Sequence, residues 1–286
     1  MPSRPPSLLP EQLSLVGNSD AQLRERFQLL TAARVMVCTV IFGGTVAVYL
    51  AEGHSLDDAT PKLTQSELAQ RLDLSRASAR RYLMTLSALG YMATDGKAFW
   101  LTPKVMRLGH SYLASARLPR TVMPVLQTLT NTIGESTNLA VLEDADAVYI
   151  GRVSAPKLLS TLIEPGTRLP AHTSAAGRLL LSYLPPDDLE RWLARTPLGA
   201  YTPFTVTDKE ALRRELTKVR KQGYCVTEGQ FELGLRGVAV PLIDSTGRAV
   251  GAISASMAIS SMSPAVSVRR CVPPLKAAAE QLRSRL

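Results

Sequence analysis

The stretch LTQSELAQRLDLSRASARRYLMTLSALGYMATDGKAFWL, residues 63–101, sets the tightest limits on what this chain can fold into. Thr64 followed by Glu67 is a capping box and opens a helix. Leu68, Ala69 and Leu72 form its apolar face, and Asp73-Leu74 end it. Ser75 is placed to N-cap a second helix running to about Leu89, with Gly90 where a glycine closes helices. YMATDGKAFWL then alternates around Asp95-Gly96, a two-residue hairpin signal. Helix, short turn, helix and hairpin is the element order of a winged helix-turn-helix.

The second helix sorts its residues cleanly. With Ala79 as reference, Tyr82, Leu83, Leu86 and Leu89 fall within roughly 80° of it and form one buried stripe. Ala77, Arg80, Arg81, Met84 and Ala88 fall opposite, with Ser78 and Thr85 on a flank. Such a face is either solvated or laid against phosphate. Residues 61–120 carry ten Lys/Arg against three Asp/Glu, so most of the net charge of +9 sits in about a fifth of the chain. A local basic excess on a helix-turn-helix favours DNA. Arginine can bridge phosphates or read guanine in the major groove, and Lys97 at the hairpin tip can touch phosphate.

Three cysteines, Cys38, Cys225 and Cys271, stand far apart, with no CxxC or Cys/His cluster, so neither a disulfide framework nor a metal site is expected. A reducing cytoplasm fits. Residues 1–20 are Pro- and Ser-rich and read as loose, without the pattern of a secretory signal. Residues 35–51, VMVCTVIFGGTVAVYLA, form an uncharged run just short of a membrane span. Arg24, Arg26 and Arg34 before it and Glu52, Asp57 and Asp58 after it would place the DNA reader outside the membrane, which argues against an anchor.

PKVMRLGHSYLASARLP reads as a linker helix over 103–119, with proline at each end and His110 on its surface. Residues 120–286 read as α/β. TVMPVLQTLTNTIG is helical, STNLAVLEDADAVYIGRV is two strands about an acidic turn, and LLSTLIEPGTRLPAHTS is a strand, a turn and a loop. AAGRLLLSYL and PDDLERWLA are helices, and Thr207 with Glu210 caps a helix that Gly223 ends. GVAVPLIDSTGRAVGAISASMA is a hairpin around Ser245-Thr246-Gly247, and the last twenty residues return to helix. Strands in hairpins with helices on one face point to an open antiparallel α+β sensor domain.

Residues 63–113 resemble the DNA-binding domain and linker helix of IclR-type bacterial transcriptional regulators. GTRLPAHTSAAGRLLLSYLP and ELGLRGVAVPLIDSTGRAVGAISASM are similar to two blocks of that family's GAF-like effector domain. ASARRYLMTLSALGY and RLPAHTS look most like the branch that regulates the β-ketoadipate pathway and senses protocatechuate or 4-hydroxybenzoate. The resemblance implies an α+β chain: an atypical segment 1–60, a winged helix-turn-helix 61–102, a linker helix 103–119 and a GAF-like effector domain 120–286. It places DNA contacts on Arg76, Ser78, Arg80 and Arg81, beside Lys97. It places the effector pocket on Ser174, Ala175, Thr227, Glu228, Gly237, Ser254 and Ser256. Ser254 and Ser256 alternate along one strand, so their hydroxyls share a side. His172 either donates to a ligand carboxylate or packs under the loop, and Arg236 pins the domain. The implied partners are operator DNA, a small carboxylate effector and further copies of the chain in a homodimer or a tetramer, with no cofactor.

One feature departs from the resemblance. The family opens its DNA-binding domain with an amphipathic helix containing an Arg-Gly-Leu-like stretch, and nothing in residues 20–59 matches it. A genuine helix, a membrane segment and a reading-frame artefact are the open explanations, and the last would leave DNA binding defective. Two other functions stand beside the regulator of aromatic-acid catabolism. One is a regulator of a different small-acid pathway. The other is a hydrolase using Ser254 or Ser174 with His172, against which no GxSxG, HExxH or GxGxxG occurs.

Overall fold

The computed structural model describes residues 62–156 and 163–286, and the described chain divides between Gly109 and His110 into two compact units. The expectations for residues 1–61, the apolar run among them, and for the strand beginning at Leu158 lie outside the described residues. Among the described residues no helix is long and apolar enough to cross a membrane, and no cluster of His, Cys, Asp or Glu could hold a metal ion.

The first unit is a winged helix-turn-helix. Strand β1 (Leu63–Thr64) leads into helix α1 (Gln65–Arg71), followed by α2 (Arg76–Ala88), β2 (Met92–Thr94) and β3 (Ala98–Leu101). Thr64 and Glu67 form the capping box: the Glu67 amide donates to Thr64 Oγ1 at 3.3 Å and the Thr64 amide to Glu67 Oε2 at 2.7 Å. Asp73, with φ of 50°, turns the chain between the helices. Ser75 caps α2 by accepting from the Ser78 amide at 3.1 Å, and Gly90 closes it with φ of 74°. Leu68, Ala79 and Leu83 are fully buried with Leu63, Met92 and Phe99. Each buried leucine contributes about 1.5–3 kcal/mol by leaving water.

Two local expectations change here. Three residues, Asp95–Lys97, separate the wing strands instead of two, because the Asp95 carboxylate accepts from the amides of Lys97 and Ala98 and widens the turn. β1 is an addition, pairing Leu63 with Phe99 so that the sheet runs β1-β3-β2.

The linker stretch is not one helix. A 3-10 turn at Pro103–Val105 runs into α3 (Met106–Ser115), the chain extends at Ala116, and α4 (Arg117–Ile133) begins anew. A helix continued through Pro119 would lose a bond to the Ser115 carbonyl and press the ring against it. Breaking at Ala116 puts Pro119 in a first turn, where no N–H is needed.

The second unit is built on a six-stranded antiparallel sheet. Its strands are β4 (Ser136–Glu143), β5 (Asp146–Val153), β6 (Arg168–Pro170), β7 (Cys225–Glu228), β8 (Leu235–Ile243) and β9 (Ala249–Ala258), in the order β6-β5-β4-β9-β8-β7. The remaining helices are α5 (Ala175–Ser182), α6 (Pro186–Arg195), α7 (Lys209–Gln222) and α8 (Pro264–Arg283). Helices cover both faces of the sheet rather than one. Helices α4 and α8 pack Leu126, Ile133, Cys271 and Leu275 on Leu139, Val238, Val240 and Ile253. On the other face α5 lays Ala175, Ala176 and Leu179 on Ala140, Ala239 and Ala252. The strands alternate large with small, and the small face lets α5 come close.

Asp208, not Thr207, caps α7: its carboxylate accepts from the Ala211 amide at 2.7 Å. Thr207 has the right spacing to Glu210, but the aspartate one residue later is an equally good cap and sets the helix start. The β8–β9 hairpin turns over Asp244, whose carboxylate accepts from the Thr246 hydroxyl and the amides of Thr246 and Arg248. Those bonds, led by Thr246, pull its pKa down to about 2.

Candidate nucleic-acid interface and ligand recess

Helix α2 presents the arrangement its sequence suggests. Arg76, Ala77, Arg80, Arg81, Met84 and Ala88 are exposed, while Ala79 and Leu83 are buried. Ser78 is half-buried, and its hydroxyl accepts from the Ser75 hydroxyl at 3.0 Å, so it supports the cap. Lys97 is exposed at the wing tip. The far end of α2 is capped from outside: Lys104 Nζ donates to the Leu89 carbonyl at 2.6 Å and lies 5.2 Å from the Tyr91 ring centroid. A cation there complements the helix dipole. The face between these caps carries guanidinium groups flanked by small side chains, which permits close approach to a duplex.

The second unit holds a recess of about 390 Å³, counting the solvent at its mouth. Ser174, Ala175, Thr227, Gly237, Ser254 and Ser256 line it. Glu228 does not. Thr227 and Glu228 are neighbours on β7, so they face opposite ways, and the Glu228 carboxylate accepts from Arg236 Nη2 at 2.8 Å. Arg236 also donates to the Met262 carbonyl, which ties β8 to the turn before α8.

One side of the recess is rich in donors. Ser174 caps α5 by accepting from the Gly177 amide at 3.0 Å. The amides of Ala175 and Ala176 lie in the first turn, where helical N–H groups have no partner within the helix and carry partial positive charge. Ser256 Oγ accepts from Asn138 Nδ2 at 2.8 Å, which leaves its own proton to give. Behind Asn138 stands Arg152, with Nη1 on Asn138 Oδ1 at 3.0 Å. Burial pushes the Tyr149 phenol up to about 12, against the opposing pull of the Ser174 hydroxyl and the Arg152 charge, so the wall keeps a neutral O–H. The rest of the lining mixes apolar side chains, Ile163, Leu169, Phe231 and Leu235, with Gln230 and the carboxylate of Glu232.

A loop outside the lining is strapped to the segment that carries Gln230 and Phe231. Thr202 Oγ1 donates to the Gly229 carbonyl at 2.5 Å, and Thr205 Oγ1 to the Gln230 carbonyl at 2.6 Å. His172 is buried and donates through Nε2 to the Gly199 carbonyl at 3.0 Å, so it holds this loop instead of lining the recess. Tyr201 bridges His172 and Phe231, with ring centroids 6.1 and 5.2 Å away.

Sequence reasoning missed nine residues of the lining: Tyr149, Ile163, Leu169, Thr173, Ala176, Gln230, Phe231, Glu232 and Leu235. Tyr149 was legible only once β5 had a face. Phe231 and Glu232 lie in a loop whose one sequence mark is the pair Gly229 and Gly234, both at positive φ.

A winged helix-turn-helix joined to a sheet domain with a recess is the build of a ligand-responsive DNA-binding regulator. Residues 54–96 match the IclR helix-turn-helix domain and residues 110–284 the bacterial transcriptional regulator IclR C-terminal domain. The chain belongs to the IclR family of bacterial transcriptional regulators. It is 35% identical over 242 residues to the Pca regulon regulatory protein of Pseudomonas putida, covering 84% of this chain and 83% of that one. It is 33% identical over 244 residues to the p-hydroxybenzoate hydroxylase transcriptional activator of Acinetobacter baylyi, covering 82% and 90%. The structure of an IclR homologue complexed with 4-hydroxybenzoate from Microbacterium hydrocarbonoxydans superposes with a TM-score of 0.65 at 28% identity, covering 82% of this chain and 95% of that one.

Proposed function

We propose that this regulator controls catabolism of aromatic acids and that the recess binds the effector, a small aromatic carboxylate. The observation that carries this reading is the recess itself. First-turn amides of α5 and serine hydroxyls supply donors, with Arg152 outside the lining behind Asn138, and Ile163, Leu169, Phe231 and Leu235 supply apolar surface beside Gln230 and Glu232. A carboxylate suits the donors and an aromatic ring the apolar surface. The names of the relatives, a Pca regulon protein and a p-hydroxybenzoate hydroxylase activator, support the same class.

In this reading Arg76, Arg80, Arg81 and Lys97 contact operator DNA with Ser78 at the edge, and Ser174, Ala175, Thr227, Gly237, Ser254 and Ser256 meet the effector. The working domains are the winged helix-turn-helix 61–102, a linker from 103 that ends at the break before α4, and the effector domain from α4 to 286. The protein acts in the cytoplasm as a homodimer whose two α2 helices meet half-sites of a pseudo-palindrome. In this reading it is not an enzyme: His172 holds the Gly199 carbonyl through Nε2 and stands outside the recess that Ser174 and Ser254 line.

The test is fluorescence anisotropy of the purified chain on DNA from its own upstream region, at two salt concentrations, with and without protocatechuate and 4-hydroxybenzoate. The expected result is salt-sensitive binding that one of the acids shifts. Specific binding indifferent to both acids overturns the effector class, and a shift with a different small acid replaces it.

A further inference from the structure

Arg178 lies on α5, 2% exposed and outside the recess lining. Its guanidinium nevertheless reaches three separate segments. Nε donates to the His172 carbonyl at 2.6 Å, Nη2 donates to Gln230 Oε1, and Nη1 donates to Glu215 Oε2 on α7 at 2.5 Å. One of these bonds ends on a lining residue, Gln230, and another on the residue just before the lining pair Thr173 and Ser174. His172 directly precedes Thr173 and Ser174, which form the donor-rich wall. Gln230 is itself lining and begins the facing wall with Phe231 and Glu232. Gln230 Oε1 also accepts from the Val206 amide at 3.0 Å, so the same oxygen ties in the loop that Thr202 and Thr205 strap to this segment.

We propose that Arg178 is a positioning residue of the recess, a rigid fork that sets the spacing of its two walls and thereby the affinity for the effector. The planar guanidinium donates in fixed directions, and no other type of side chain offers a rigid planar fork to three acceptors at once. Glu215 balances its charge but touches neither wall. The consequence for ligand binding rests on the function proposed above, whereas the consequence for the walls does not.

The experiment therefore reads the ligand-free full-length protein first. Amide hydrogen exchange is followed at residues 173–176 and 230–232 in the wild type, Arg178→Lys, Gln230→Met and Glu215→Gln. Arg178→Lys is expected to raise exchange on both walls while α4 and α8 keep their protection. Gln230→Met, which leaves Arg178 its other two partners, raises it at 230–232 alone. Glu215→Gln lowers the melting temperature and leaves both walls protected. Titration with 4-hydroxybenzoate then gives a dissociation constant raised roughly tenfold or more in Arg178→Lys, the loss expected for one charged hydrogen bond. Wall exchange unchanged in Arg178→Lys and Gln230→Met overturns the proposal. So does equal loosening in Glu215→Gln, which would make Arg178 a general stabiliser. Loosened walls in a protein whose wild type ignores the acid uphold the positioning role and refute the aromatic-acid reading instead.

Discussion

Asn138 and Ser256 meet across the β4–β9 pairing, the Asn138 amide donating to the Ser256 hydroxyl at 2.8 Å beneath the recess. Asn138 is fully buried and simultaneously accepts from Arg152, so one amide orients both a charge and a hydroxyl. Asn138→Ala is expected to leave those groups short of a partner, at a cost of about 1–3 kcal/mol. Urea unfolding followed by the fluorescence of the buried Trp192 measures the cost. Affinity for 4-hydroxybenzoate falls with it, and a variant as stable as wild type would show that the network contributes little.

The α2 face makes a prediction about salt. Arg80 and Arg81 are exposed and adjacent on the outward side of the helix. Replacing both with alanine should weaken operator binding and flatten the plot of log affinity against log salt, by about one unit for each phosphate no longer neutralised. Melting should be unaffected, because neither side chain packs in the core. Unaltered affinity and slope would return these arginines to a solvated face.

The features legible in the sequence were those decided by local physics. The Thr64–Glu67 box, the Ser75 cap, Gly90 and the buried stripe through Ala79 and Leu83 each depend on residues within a turn or two. What escaped depends on partners far away in the chain. Helices on both faces of the sheet were hidden because Gly237, Ala239, Ala252 and Ser254 give no strong apolar signal, although they are the surface α5 needs. Glu228 was misplaced because motif similarity names a strand segment without saying which of two neighbouring side chains faces inward. Gln230 and Phe231 were invisible because their loop is fixed by Thr202, Thr205 and Arg178, some 25 to 52 residues away in the chain.

Gly177 offers a steric test of how closely α5 packs. A Cβ there would lie 2.3 Å from the Ala171 carbonyl oxygen, a backbone atom that cannot swing aside. Gly177→Ala should lower stability by about 1–3 kcal/mol or more, as overpacking does. It should also weaken effector binding by pushing the first turn of α5 off its loop. Gly109→Ala is the control: a Cβ at that position in α3 meets nothing within 4 Å. Alanine favours a helix over glycine by about 1 kcal/mol. Thermal melting of the two variants should move in opposite directions, and a Gly177→Ala protein that melts with the wild type would contradict the close approach.

His172 makes the protein's response to mild acid predictable. Its burial lowers its pKa, only partly offset by the hydrogen bond to Gly199, while Arg178 lowers it further and Asp146 works the other way. Unfolded, the imidazole titrates near its ordinary value of about 6.5. The unfolded chain therefore binds a proton that the native state resists. Stability from this site is fully present above about pH 6.5 and is lost as pH falls below it toward the depressed native value. The loss should concentrate where His172 acts, in the loop held by the Gly199 carbonyl and packed through Tyr201 onto Phe231. His172→Gln retains a side-chain N–H but cannot titrate. Amide exchange in residues 199–206 should rise between pH 7.5 and 5.5 in the wild type, once corrected for intrinsic rates, and stay level in His172→Gln. The same rise in both proteins would assign the acid sensitivity to another group.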